Sequence, residues 1–448
     1  MIISKYTFFL TYKGEYYLYN SLSNALVKVD KETYVLLMHS RKENNHLDDI
    51  RDNAFLEMLS DKRFICNSDK DELLLYKSAI QSLREQRGFM HLTIAPTMDC
   101  CFNCFYCFEH NKVREYMSDD VMDAIVEYVN KQNTLKRIQL SWFGGEPLMA
   151  QDQMLSLYRK LKQSFSGDIA SNIITTGFHI GESTVSLFKE LEITSMQITL
   201  DGNKETHNRI KHTDGCTDAF NRVIENIAFI TEKLPDLNVA IRVNITKQNA
   251  TQFPALFFQL HALFANKNVT ISPSIVKDKK HKGVITVSNQ VFFTVKDFSD
   301  YVLSLFEKYG IHTQYLTYPG NELCECAIRD KMAISFDPGG YAYKCWEKIG
   351  DKQYAIGRLQ KDGILSEINH VELNRELYGA DPFSDPLCVK CKYLPLCNGG
   401  CPIERIQNEF EGCSYYTCTI VKGRIKKYLQ NHIYLKQKGL SNNYIDPR

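Results

Sequence analysis

The sequence has no apolar run long enough to cross a bilayer. Its opening residues, MIISKYTFFLTYKGEYYLY, contain a lysine but no unbroken apolar core and no small-residue cleavage site, so they do not read as a signal peptide. The expectation is a cytoplasmic protein with no membrane partner. An excess of one charge is also missing. Lys and Arg number 54 against 53 Asp and Glu, a net charge of +1, which gives no electrostatic ground for nucleic acid as a partner. The basic stretch at 422–427, with Lys422, Arg424, Lys426 and Lys427, reads as a solvated helix face. Internal repeats and low-complexity tracts are absent.

What is present is a globular composition, 44% hydrophobic and 24% charged, in 448 residues, a length that suggests about three domains. Cysteine is the anomaly, with fifteen residues. In a reducing compartment clustered thiols are metal ligands more often than disulfides. Eleven of the fifteen fall into spacing groups, leaving Cys66, Cys101, Cys216 and Cys413 as ordinary small residues.

The expected organisation has three parts. In residues 1–85, strand-like segments at 6–12 and 16–19 flank a Lys13-Gly14 turn, a third strand fits 26–29, and helical spacing follows. This suggests a small separate winged-helix-like domain, linked onward by a helix near 72–87. Residues 86–320 alternate strands (91–95, 137–142, 172–175, 195–200, 238–244, 269–272) with helical stretches, including one capped by Ser118. The fold class is therefore α/β with a parallel sheet, doubly wound or a barrel, and catalytic groups are expected at strand C-termini. A further helix fits 298–309, and 277–282 reads as an exposed polar loop. Residues 321–448 are cysteine-rich and weakly patterned, as in regions held by metals, with a frayed tail beyond about 436.

Cys100, Cys104 and Cys107 follow the first of these strands in a C-x3-C-x2-C run. Three thiolates hold three irons of a cubane and leave the fourth without a protein ligand, whereas electron-transfer clusters take four cysteines. A zinc knuckle, with His110 as fourth ligand, is the alternative. With Tyr106 in the aromatic position, the segment resembles the signature of radical S-adenosylmethionine (radical SAM) enzymes. The resemblance implies a partial (β/α)6 TIM-like barrel and SAM chelating the open iron, with Tyr106 beside adenine. It also implies cleavage of SAM to a 5′-deoxyadenosyl radical. Gly144-Gly145-Glu146-Pro147 is similar to the family's GGEP motif, which implies glycine contacts to the methionine group of SAM, and the Glu146 carboxylate can accept from its ammonium. Thr199-Leu200-Asp201-Gly202 followed by His207 to Lys211 is similar to an S-x-D-G…H-D-x-x-R pattern. Lys211 stands where Arg is usual, so Arg209 is an alternative carboxylate partner. Asn244 ends the fifth strand, where a SAM-contacting asparagine is common; a purely structural strand residue is the alternative.

The C-terminal cysteines are Cys324-Glu325-Cys326, then Gly340-x4-Cys345, then Cys388-x2-Cys391-x5-Cys397-x3-Cys401 and, after sixteen residues, Cys418. This resembles the SPASM extension of a subset of radical SAM proteins, a C-terminal iron–sulfur domain with two auxiliary 4Fe–4S clusters. By position, Cys388, Cys391, Cys397 and Cys418 would hold one cluster. Cys345 and Cys401 would hold the other, with Cys326 and Cys324 as further ligands, one of which can stay free. Cys413 rivals Cys418, and structural zinc is the alternative for the C-x2-C-x5-C-x3-C run. That makes three 4Fe–4S clusters in all, reduced by a flavodoxin or ferredoxin.

Among SPASM proteins, the resemblance leaves two enzyme branches. Anaerobic sulfatase-maturating enzymes convert Cys or Ser to formylglycine and carry an Asp after the G-x4-C cysteine. Here that position is Trp346, with Glu347 next to it, and 99 residues precede Cys100. The other branch matures ribosomally made precursor peptides, forming thioether or carbon–carbon crosslinks, and many members bind the leader on an N-terminal winged-helix domain by strand addition. Residues 1–85 resemble that domain in length and order; a domain used only for packing is the alternative. A non-catalytic zinc-binding or electron-transfer protein is the reading from another class.

Overall fold

Strand alternation and helix caps in the sequence reappear in a computed structural model that describes residues 1–43, 47, 52–107, 114–213, 215–277, 291–312, 318–320 and 325–440. His110, Cys324, most of the 277–282 loop and the tail from 441 lie outside these residues.

The N-terminal part contains β1 (Ile2–Ile3), β2 (Thr7–Tyr12), β3 (Glu15–Asn20), β4 (Ala25–Val29), α1 (Lys31–Glu43), α2 (Asn53–Asp61), β5 (Ile65–Cys66) and α3 (Asp69–Arg84). Lys13 and Gly14 both have positive φ, 48° and 79°, the geometry of a two-residue turn whose twist matches its strands. β2–β3–β4 form an antiparallel sheet and β1 pairs with β5. Because side chains alternate, one face of the sheet carries Leu18 with Phe9 and Tyr16 onto a core with Tyr34, Leu37, Leu59 and Phe64. The other face carries Phe8, Leu10, Tyr17 and Tyr19.

The barrel contains β6 (Phe89–Ile94), α4 (Asp119–Asn130), β7 (Arg137–Trp142), α5 (Gln151–Ser164), β8 (Asp168–Thr175), α6 (Glu182–Glu190), β9 (Ile193–Leu200), α7 (Lys204–Ile210), α8 (Ala219–Lys233), β10 (Asn238–Ile245), α9 (Phe253–Leu263), β11 (Val269–Ile275) and α10 (Val295–Tyr309). Strands β6 to β11 are parallel and sit in chain order, a partial barrel. Met90, Leu92 and Ile94 of β6 face the helices and are fully buried, as are their counterparts on neighbouring strands.

The C-terminal part contains β12 (Ile334–Phe336), β13 (Tyr341–Tyr343), β14 (Gly357–Leu359), β15 (Leu365–Ser366), α11 (His370–Tyr378), α12 (Pro386–Val389), α13 (Leu394–Cys397), α14 (Pro402–Phe410) and α15 (Ile425–Gln437). Residues 1–85 have a core of their own, and the other face of their sheet packs Phe8, Leu10, Tyr17 and Tyr19 on Ile425, Leu429 and Ile433 of α15. Two expectations are corrected here. The cysteine-rich part is not weakly patterned throughout: β12 pairs in parallel with β6, and β13–β15 extend the barrel sheet. The 422–427 stretch is not simply solvated: Arg424 Nη2 is 2.5 Å from Asp300 Oδ2, and Lys422 reaches Cys418.

Candidate functional site

The loop of Cys100, Cys104 and Cys107 leaves the C-terminal end of β6 and is braced from below. Gly145 N–H donates to the Thr97 carbonyl (3.1 Å) and Glu146 N–H to the Asp99 carbonyl (2.8 Å). A Cβ on Gly144 would lie 2.5 Å from Thr97 O, and one on Gly145 would lie 2.1 Å from Asp99 O. These glycines are thus required by contact with the cysteine loop itself, whatever else they touch. Glu146 differs similarly from expectation. It is fully buried, and its carboxylate accepts from Leu148 N–H (3.0 Å), the Thr175 hydroxyl (2.6 Å), and Thr176 N–H (2.7 Å) and hydroxyl (2.5 Å). It ties the loop after β7 to the end of β8, so its lone pairs are already engaged within the chain.

Cys100, Cys104 and Cys107 are half-buried, and Cys107 N–H donates to the Cys104 carbonyl (3.1 Å). Cys101 points to a different role: a hydrogen bond with Cys100, burial and the Glu146 charge push its thiol well up, so it stays protonated.

Asp201, quoted in the β9 motif but not expected as a site residue, organises the neighbouring strand ends. Its Oδ1 accepts from the Tyr106 phenol (2.5 Å) and from Asn244 Nδ2 (3.2 Å), and its Oδ2 lies 3.3 Å from Lys211 Nζ. Oδ2 has no hydrogen bond of its own and is buried. Lys211 also donates to the Thr199 carbonyl (2.5 Å). Asn249, missed in the sequence, donates to the Asp201 and Asn244 carbonyls (2.8 and 2.9 Å). His207 Nδ1 accepts from Asp201 N–H (3.3 Å), and burial, then the Lys211 charge, lowers its pKa to about 3. Tyr106, Thr199, Lys211 and Asn244 therefore share one network that reaches from the cysteine loop to β10. Arg209 does not join it; it is exposed on α7. Burial, followed by the Asp201 charge, raises the Tyr106 phenol well above its usual range, so it donates and does not ionise.

Between the strands lies a cavity of about 380 Å³, lined by inward-facing Ser141, Asn172, Gln197, Ala240 and Thr270, with Trp346 at its edge. Trp346 stacks on Phe143, with ring centroids 5.5 Å apart at 22°. An indole thus stands directly after Cys345, with Glu347 next to it.

The C-terminal cysteines form two groups. The Cys397 thiol is pushed up to about 11, by burial first and then by Cys391, Cys388 and Cys418 beside it. Cys345 is pushed well up by burial, then Glu347, Cys326 and Cys401. Crowded, partly buried thiols that cannot ionise together without a positive partner are the electrostatic setting of a metal or cluster site. Cations already stand at two of them. Arg405 Nη1 lies 3.5 Å from Cys388 Sγ, and Lys422 Nζ lies 3.1 Å from Cys418 Sγ. Lys422 lies only four residues after Cys418, whereas Arg405 reaches Cys388 from α14, seventeen residues away. Cys413 is buried, with its N–H on the Gln407 carbonyl at the end of α14.

Residues 94–260 match the radical SAM superfamily. A Clostridium perfringens protein described as a cysteine-type anaerobic sulfatase-maturating enzyme is 22% identical over 70% of this chain and 88% of its own length. The mycofactocin maturase MftC of Mycolicibacterium smegmatis is 26% identical over 69% of this chain and 77% of its own. A solved structure described as native anSMEcpe with bound AdoMet superposes with a TM-score of 0.57 at 18% identity, covering 78% of this chain and 97% of that one, a likeness of fold. Among the described residues no helix is long and apolar enough to cross a membrane. The chain carries a radical SAM domain over residues 94–260 followed by a cysteine-rich C-terminal part, and it is a radical SAM enzyme whose similar proteins are described as maturases.

Proposed function

We propose that this enzyme matures a ribosomally made precursor peptide, closing a thioether or carbon–carbon crosslink. The observation that carries the reading is the unequal edges of the N-terminal sheet. The β2 edge is covered by side chains: Arg41 donates to the Lys5 and Thr7 carbonyls, and Gln430 to Thr11. β4 pairs only with β3 among the described residues, leaving an edge on which an extended leader can add as a strand. That sheet rests on α15, and α3 reaches the cysteine-rich part through Arg84, which pairs with Glu325 and Asp381 at 2.7 Å each. A docked leader would hold the core peptide at high effective concentration near the barrel cavity.

Cys100, Cys104 and Cys107 would hold the SAM-binding 4Fe–4S cluster, with SAM among Tyr106, Gly144, Gly145, Thr199, Lys211 and Asn244. Cys388, Cys391, Cys397 and Cys418 would hold one auxiliary cluster, and Cys326, Cys345 and Cys401, with Cys324, the other. Once bound, these groups supply a radical that removes substrate hydrogen and a path for the surplus electron, with a flavodoxin or ferredoxin as donor. The chain's own residues do the rest. Asp201 orients Tyr106 and Asn244. Arg405 and Lys422 bring positive charge to thiolates that would otherwise repel one another. Trp346, stacked on Phe143, contributes an apolar surface to the cavity lining.

Similarity to sulfatase-maturating relatives supports a second reading, formylglycine formation; Trp346 in place of a carboxylate speaks against it. Hydrogen exchange with the leader of a short peptide encoded beside this chain separates the two. Slowed exchange across β4, with a mass change in the peptide, is expected. Unchanged β4 exchange, together with oxidation of a sulfatase-derived peptide, would replace the proposal by the second reading.

A further inference from the structure

Cys66 belongs to none of the cysteine groups above, yet it does not stand alone. It ends β5 in the run Cys66-x2-Asp69-x2-Glu72, and Ser68 caps α3 between them. Asp69 and Glu72 are three residues apart on the first turn of α3 and so share a face. One ligating atom from each of Cys66, Asp69 and Glu72 lies within 4.8 Å of the others. Among the described residues, no other set of three such side chains meets that condition.

Carboxylates at a helix N-terminus need no ligand to explain them, because the helix dipole favours them there. That accounts for Asp69 and Asp71, which are exposed. It does not account for Glu72, which is 2% exposed and whose Oε1 has no hydrogen-bond partner. Nor does it account for Tyr6. Its ring is fully buried, its hydroxyl is likewise unpartnered, and burial first, then the charges of Glu72, Asp69, Cys391 and Cys66, push its phenol up. Glu72 Oε2 accepts from the Ser4 hydroxyl (2.8 Å), which fixes the carboxyl and leaves Oε1 as the free atom. Lys5 and Arg63 supply positive charge nearby, but Lys5 Nζ is engaged by the Val389 carbonyl (3.0 Å). Glu72 Oε1 is thus a buried polar atom without a partner, on a carboxyl grouped with a thiol and a second carboxyl.

We propose that Cys66, Asp69 and Glu72 form a zinc site, with the Tyr6 phenol or a water as fourth ligand. One thiolate with carboxylates suits zinc and is too soft a set for calcium or magnesium. A lone cysteine is too few for an iron–sulfur cluster. Binding displaces the thiol proton of Cys66 to solvent. The ion would clamp the Ser4–Tyr6 turn to the start of α3, the helix whose Tyr76 and Arg84 contact the cysteine-rich part. It would thereby fix the N-terminal sheet against the iron–sulfur region.

The test uses the full chain, loaded anaerobically with iron and sulfide and then supplied with zinc. Metal content is measured by plasma mass spectrometry, and the first shell by zinc K-edge absorption. The expected result is one zinc per chain with one sulfur and three oxygen or nitrogen neighbours. Cys66→Ser and Asp69→Asn should each lose it, with iron and sulfide per chain unchanged. Asp69 is exposed, so its variant decides the matter even where Cys66→Ser fails to fold. No bound zinc, an all-sulfur shell, or zinc retained by Asp69→Asn would overturn the assignment.

Discussion

Replacing Asp201 with Asn removes the anion from a pair in which both partners are nearly inaccessible, Asp201 at 1% and Lys211 at 3%. At 3.3 Å and an effective dielectric of about 20, the Coulomb attraction is about 5 kcal/mol. Removing one member of a buried pair costs roughly 3–5 kcal/mol, because the other charge is left without compensation. Lys211→Met should cost somewhat less, since the Asp201 carboxylate keeps the Tyr106 and Asn244 donors. The double variant has no stranded charge, so the two costs should fall short of adding by about 2–3 kcal/mol. The assay is anaerobic urea unfolding followed by tryptophan fluorescence. The chain has two tryptophans, and both report on the barrel: Trp142, buried in β7, and Trp346, at the cavity edge. Costs that add to within about 0.5 kcal/mol would refute the coupling, as would an Asp201→Asn cost under about 1 kcal/mol.

Gly145→Ala places a methyl group against the Asp99 carbonyl, backbone against backbone, so the cysteine loop must shift. Iron analysis should show the loss of one cluster's iron with the remainder retained; full iron content would contradict this. His207 is neutral in the folded protein down to about pH 3, whereas an unfolded chain protonates it near 6.5. Its contribution is therefore present above pH 6.5 and is lost as pH falls through the range 6.5 to 3. His207→Gln should flatten the acid limb of the stability–pH curve, and an unchanged slope would dismiss the residue. Lys422→Ala removes a cation 3.1 Å from Cys418 Sγ and should lower the reduction potential of the cluster there, read by redox titration with EPR detection. An unmoved or raised potential would contradict it.

Strand alternation made the barrel legible, because β6 to β11 each carry a period of two and are followed by connections with caps such as Ser118. Cysteine spacing made the C-terminal thiols stand out as candidate ligands, since ligand spacing is local and chemically constrained. Contacts made across the chain were not legible. Nothing in residues 1–85 announces that Phe8 and Tyr19 meet Leu429, and nothing near Cys388 points to Arg405. The same contact makes deletion of 1–85 a poor test of leader docking, because it would strip the cover from α15. Glu146 shows the opposite limit. Its motif was visible, but its four donors come from the ends of neighbouring elements, and only the fold assembles them.

Cys100, Cys104 and Cys107 would hold the cluster that opens SAM. The direct measurement is 5′-deoxyadenosine by mass spectrometry after anaerobic iron and sulfide loading, dithionite and SAM. The native chain should form it, and Cys104→Ala should not, while keeping the brown colour of the auxiliary clusters. A native chain that forms none, or a Cys104→Ala variant that forms it undiminished, would contradict that placement.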